Sequence, residues 1–194
     1  MSFFPKEVAF AHKKLGNLVD GSKTSIFEHG LRVGCKLKLV LDKSSISAQK
    51  KQAIIIAGLF HDLLEDTDAT EKEIVQLTNK DVLRLVKEMT IDFKDKTIKE
   101  AIAPLYFVSE ECSIIKLVDI LDNTSKSIFV VSANGIGWYR DFYIPLLQEY
   151  SLLIGYWEKN SKVYKIFFTE LANEVEVKIN ELQNFLQIYS KHSA

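Results

Sequence analysis

Cysteine is scarce in this chain of 194 residues: there are two, Cys35 and Cys112. They have neither CxxC spacing nor the density of a disulfide framework, and both read as reduced core residues of an intracellular protein. Glycine and proline are also few, eight and three, which argues against disorder. No uncharged stretch approaches the ~20 residues that a membrane span needs. The start, Met1 to Lys6, lacks a basic region followed by an apolar stretch, so no signal peptide is expected and the cytoplasm is the expected address. The formal charge of −1 gives no basic face for a nucleic-acid polymer. A small phosphorylated ligand stays open, since a metal ion can supply positive charge locally.

What is present is helix. Hydrophobic residues make up 47% of the chain and recur at three- and four-residue spacing nearly everywhere, with almost none of the alternation of strands. The length fits one domain with a full core. Helices are expected at about 4–17, 26–42, 46–61, 71–78, 80–90, 96–108, 111–130, 138–158 and 161–190. Ser47 is a candidate cap for the third of these, and Asp68 or Thr70 for the fourth. Asn134-Gly135-Ile136-Gly137 is the clearest break. The aromatic residues Trp138, Tyr139, Phe142, Tyr143, Tyr150, Tyr156 and Trp157 read mostly as core, with Tyr139 and Arg140 able to face a ligand. The last segment carries an apolar stripe of Val163, Ile166, Phe167, Leu171, Val175, Ile179, Leu182 and Phe185. It reads as a helix closing the core, and the alternative is a homodimer interface. One all-α domain over 1–194 is the expected architecture.

The chemistry concentrates in His61-Asp62-Leu63-Leu64-Glu65-Asp66-Thr67, directly after the apolar run Ala53 to Phe60. An imidazole and a carboxylate side by side can reach one divalent ion, because nitrogen and oxygen donors together suit such metals. Glu65 and Asp66 lie about one helical turn further on, close enough to manage the protons of an activated water. Two more candidates lie elsewhere. His29 opens an apolar-periodic helix, from which it can point inward. Asp119 sits inside the apolar run Ile114 to Leu121, where a carboxylate is costly unless paired or bound to metal. Lys116, Asp119 and Asn123 share one helical face, whereas Asp122 points elsewhere and is expected to be solvated. His12 and His192 read as surface residues.

The order His29, His61-Asp62, Asp119 resembles the H…HD…D signature of the HD-domain metal-dependent phosphohydrolases. HDLLEDT and KLVDILDN resemble, more narrowly, the HDxxEDT and KLADRLxN motifs of the RelA/SpoT-type alarmone hydrolases, including their small single-domain members. The likeness runs over about 24–126, with 138–190 left as closing helices. It implies an all-helical HD-domain bundle that binds manganese and removes pyrophosphate from the 3′ position of (p)ppGpp. Carried over by position, it makes His29, His61, Asp62 and Asp119 metal ligands and gives Glu65 and Asp66 the attacking water. Asn123 would contact the nucleotide. Lys116 would offset phosphate charge or pair with a carboxylate. The family generally carries an Arg-Lys pair in the loop before the first histidine. This chain has Asp20-Gly21 there, followed by Ser22 and Lys23 as the remaining substrate-loop candidates, with Lys23 or Lys13 as substitute cations. The departure leaves two further readings: an HD phosphohydrolase of another small phosphoester or nucleotide, and an idle metal- or nucleotide-binding module.

Overall fold

Two helices with long buried runs set the fold. A computed structural model describes residues 4–21 and 23–192, with side chains over the same range apart from 127–133 and 189–192. In it α3 (Ala48–Leu59) is buried without interruption from Ala53 to Leu59. α8 (Glu110–Trp138) is buried at Cys112, Ile114, Ile115, Leu117, Val118, Ile120 and Leu121. A helical segment buried on every side belongs inside a bundle, and each such Ile or Leu contributes about 1.5–3 kcal/mol on burial. α2 (Ile26–Asp42) packs along α3 and against α8, while α1 (Pro5–Leu15) lies against both α2 and α3.

Capping side chains fix where the helices begin. Ser25 and Ser47 accept backbone N–H groups at the starts of α2 and α3. Of the two candidates for α5 (Glu71–Leu77), Thr70 is the cap, in a reciprocal capping box with Glu73, and Asp68 pairs with Lys14 instead. Between α3 and α5 the chain forms one more short helix, α4 (Leu63–Asp66). α6 (Lys80–Met89) packs on α3, and α7 (Ile98–Ile102) passes into a 3-10 turn at Ala103–Phe107, where Pro104 ends α-helical bonding.

α8 runs past its expected end, but it is kinked at Gly135, whose φ of 81° suits glycine. A π-helical turn (Tyr139–Tyr143) leads into α9 (Ile144–Asn160), with Pro145 in its first turn. α10 (Lys165–His192) then packs on α8 and α9. Ahead of it, the Glu110 carboxylate accepts from the Ser161 hydroxyl and the N–H groups of Lys162 and Val163. Phe167, Leu171, Val175, Ile179 and Leu182 are buried, so most of the terminal stripe closes the core; Val163 and Ile166 remain exposed.

Three expectations need correction. Cys35 is exposed, because it lies on the outer side of α2, and only Cys112 is a core thiol. Tyr156 is 41% exposed, its ring edge-on to Tyr106 at the surface. Tyr139 is buried and so cannot face a ligand, while Arg140 is exposed and pairs with Asp141.

Candidate metal centre

The end of α3 turns the chain so that His61 points back into the bundle. α3 stops at Leu59, and the His61 Nδ1 donates to the Gly58 carbonyl at 2.7 Å. A carbonyl can only accept, so Nδ1 carries a proton, and in the neutral ring Nε2 is the nitrogen with the lone pair. His29 comes from the first turn of α2. Its neighbour Gly30 lets α2 approach closely: a Cβ there would stand 2.8 Å from the Leu59 carbonyl oxygen. The His29 Nδ1 donates to Asp122 Oδ2 at 2.7 Å, which leaves its Nε2 facing inward as well.

The two inward nitrogens are 3.1 Å apart. Both face Asp119 Oδ1, His29 Nε2 at 2.9 Å and His61 Nε2 at 3.5 Å. Asp62 lies against this group, with Oδ1 3.1 Å from His61 Nε2 and Oδ2 4.0 Å from His29 Nε2. His29, His61 and Asp119 form a buried cluster able to hold a divalent metal ion. The donor set fits such an ion: two imidazole nitrogens with fixed lone pairs and carboxylate oxygens beside them. The negative end of the α3 dipole also lies here and favours a cation.

Charge in the cluster is tightly balanced. Burial opposes ionisation of Asp119, but Lys116 and His61 outweigh it and hold the carboxyl well below its usual range. Lys116 Nζ stands 2.8 Å from Asp119 Oδ2, and Asn123 Nδ2 donates to Oδ1 at 2.8 Å. Burial disfavours the charged form of both histidines. Asp119 and Asp122 nevertheless raise His29, and Asp62 and Asp119 raise His61 well above the ordinary value. Glu65 and Asp66 occupy α4 at the rim. Burial pushes the Glu65 carboxyl up, partly countered by Lys116, and its Oε1 accepts from the Ile91 N–H at 2.7 Å. Asp66 is likewise raised, by burial and then by Asp62.

A cavity of about 230 Å³ adjoins the cluster. Asp119, Lys116 and Asn123 reach it from α8, Asp20 and Gly21 from the loop, and Trp138, Tyr143 and Tyr150 form an aromatic wall. A larger cleft of about 570 Å³ lies on the far side of Asp122, between α2, α8 and α10. It is lined by no member of the cluster, whereas Asp119 lines the smaller cavity, so the smaller one is the better placed to bring a ligand to the cluster.

Sequence reasoning missed two residues here. Lys126 lines the cavity, 3.4 Å from Asp20 Oδ2 and 3.3 Å from Asp122 Oδ2. Lys23 is exposed and does not line it; Ser22 lies outside the described residues. Asp122, expected to be solvated, is mostly buried: it bonds to His29, Arg32 and Lys126 because α2 passes alongside its face of α8. The spacing Asp122 to Lys126, i to i+4, was the available signal.

The HD domain family matches residues 26–124, just over half of the chain. The chain belongs to the HD domain family. It is 39% identical over 147 residues to a guanosine-3′,5′-bis(diphosphate) 3′-pyrophosphohydrolase of Borreliella burgdorferi, covering 64% of this chain and 22% of that protein. It is 35% identical over 75 residues to the Drosophila melanogaster guanosine-3′,5′-bis(diphosphate) 3′-pyrophosphohydrolase MESH1, covering 37% of this chain and 42% of that one. The chain thus spans less than half the length of these relatives. Its fold is similar to that of a metazoan ortholog of SpoT described as hydrolyzing ppGpp, with a TM-score of 0.67 and 22% identity over 90% of this chain and 98% of that one. It is also similar to lmo0812 of Listeria monocytogenes, with a TM-score of 0.56 and 22% identity over 78% of this chain and 99% of that one.

Proposed function

We propose that this HD-domain chain is a Mn²⁺-dependent hydrolase that removes pyrophosphate from the 3′ position of a guanosine bis(diphosphate). One observation carries the metal reading: the Nε2 atoms of His29 and His61 and the Oδ1 of Asp119 converge, while the opposite ring nitrogens are held by Asp122 and the Gly58 carbonyl. His29, His61, Asp62 and Asp119 are the proposed ligands. The likeness to the two pyrophosphohydrolases supports the substrate class.

When bound, the ion would acidify water and polarise a phosphoryl oxygen. The chain's own groups do the rest. Glu65 and Asp66, their carboxyls raised above the usual range by burial, orient the water and take its proton. Water adds to the phosphorus joined to the 3′ oxygen, that bond breaks, and the 3′ oxygen leaves with a proton as pyrophosphate departs. Lys116 and Asn123 hold Asp119 in place and border the cavity. Lys126 is the phosphate-facing cation, taking the part that the loop residues Asp20 and Gly21 cannot. The aromatic wall of Trp138 and Tyr143 offers a face for the base.

The proposal treats 1–194 as one HD-type domain completed by the helices over 138–190. No described helix is long and apolar enough to cross a membrane. We propose that the enzyme acts in the cytoplasm. Val163 and Ile166 supply the apolar face for a homodimer, which sedimentation would test. A second substrate reading, another small phosphoester or nucleotide, is favoured by Asp20 and Gly21 lining the cavity in place of two cations. A Mn²⁺ assay over ppGpp, pppGpp, NADPH, mononucleotides and cyclic nucleotides separates the two. Pyrophosphate release from ppGpp is expected; turnover of another phosphoester with ppGpp untouched would give the site to that compound.

A further inference from the structure

The two inward-facing histidines are held in different ways. His61 is fixed by a neutral carbonyl three residues back in its own segment. His29 is fixed across the bundle by Asp122, a carboxylate on α8 with a side chain 15% exposed. Asp122 is itself clamped. Arg32 donates from Nε to Oδ1 at 2.8 Å and from Nη2 to Oδ2 at 3.1 Å, and Lys126 stands 3.3 Å from Oδ2. The Oδ2 that faces His29 Nδ1 at 2.7 Å therefore has little freedom to turn away.

We propose that Asp122 is a positioning residue for the metal centre: it locks the His29 ring so that Nε2 faces the ion, with Arg32 holding Asp122 from α2. This rests on the metal reading above. The physical reason is that a ring with two similar nitrogens binds metal well only when its other nitrogen is tied, and a carboxylate partner also enriches the ligating lone pair. An acid one turn of helix beyond Asp119 thus serves the cluster without touching the ion. Arg32 adds a second tie between α2 and the carboxylate, which the His29 and Lys126 contacts also hold, so the ring stays fixed when Arg32 alone is lost.

The test is a Mn²⁺ titration by calorimetry on the full chain, its Asp122→Asn variant and its Arg32→Gln variant, each checked for native helicity. Asp122→Asn is expected to bind Mn²⁺ about 10–100-fold more weakly, the usual cost of losing such a partner. Arg32→Gln, which removes the link between helices but leaves the His29 contact, is expected to stay within about threefold. In the Zn²⁺-loaded parent, nitrogen NMR should show a slowly exchanging His29 Nδ1 proton that Asp122→Asn loses. Equal Mn²⁺ affinity in parent and Asp122→Asn would overturn the positioning role alone. An equal loss in both variants would overturn it too, reducing Asp122 to a helix–helix contact. A parent that binds no Mn²⁺ would overturn both this role and the metal reading beneath it.

Discussion

The metal cluster and the cavity beside it are built on opposite plans. In the cluster, the polar atoms of His29, His61, Asp119 and Lys116 meet partners within about 3 Å, and those partners come from α2, the end of α3 and α8. The cavity has fewer fixed contacts. Its wall is aromatic, and its cation Lys126 is shared between Asp20 and Asp122 at 3.4 and 3.3 Å. The difference teaches where change is tolerated. A cluster of mutually satisfied buried charges fails if one member is altered, because the others are then left unpaired in a poorly solvated place. A wall of apolar surface with one movable cation can be retuned residue by residue, so substrate preference can drift while the proposed hydrolytic centre stays.

The largest expected effect tests the division directly. Glu65→Gln and Asp66→Asn should each lower turnover by roughly 10²–10⁴-fold with Mn²⁺ affinity retained. Single-turnover kinetics beside a metal titration would check this; loss of the ion instead would make the residue part of the metal's support. Asp119→Ala should go further and damage the fold, by about 3–5 kcal/mol, because Lys116 is left buried without its carboxylate. Urea unfolding of that variant and of Asp119→Ala with Lys116→Met is the check, and the double variant should recover part of the loss. If it recovers nothing, the pairing is not what the cluster depends on.

Changes in the cavity should behave differently. If Lys126 faces the substrate phosphate as proposed, Lys126→Ala removes a charge-assisted hydrogen bond worth about 1.5–3 kcal/mol. The Michaelis constant for ppGpp should rise by about ten- to a hundredfold with turnover nearly unchanged. An equal fall in turnover would join Lys126 to the catalytic group and blur the comparison.

pH separates the regions again. Metal binding requires both Nε2 atoms unprotonated, and His29 and His61 are both raised above 6.5. Mn²⁺ affinity should therefore climb as pH rises through neutrality, by up to about tenfold per pH unit for each proton displaced. The ion-free chain should respond with the opposite sign. A raised histidine contributes stability that is fully present below the unfolded value and lost as pH rises through the folded one. The metal-free melting temperature should thus fall as pH rises above about 6.5, the ordinary histidine value, and saturating Mn²⁺ should remove that fall. The smallest effect is expected from Gly30→Ala. Its new methyl would press on the Leu59 carbonyl, costing about 1–3 kcal/mol in thermal unfolding and loosening His29 against His61.

The fold was legible in the sequence where periodicity was strong. The spans for α2, α5 and α6 match within a residue or two, and the break at Asn134-Gly135 falls at the kink. The ends of α7 and α9 were misplaced because Pro104 and Pro145 trade α-helical bonds for a 3-10 turn and a π-helical turn, which periodicity does not register. In the site, the grouping of His29, His61 and Asp119 could be anticipated, since motif order and the cost of a carboxylate in an apolar helix both point to it. For Asp122 and Lys126 the i to i+4 spacing signalled a pairing, but nothing in it signalled what the pair does. Their roles depend on which face of α8 meets α2 and the loop at 17–25, and that is a property of packing between distant segments.

The most direct test of the central claim is anomalous diffraction at the manganese edge from crystals grown with Mn²⁺. The account predicts one strong peak about 2.0–2.3 Å from the Nε2 atoms of His29 and His61 and from an oxygen of Asp119, with Asp62 in the same shell. A fully occupied ion elsewhere on the chain, or no peak at His61 at millimolar Mn²⁺, would contradict it.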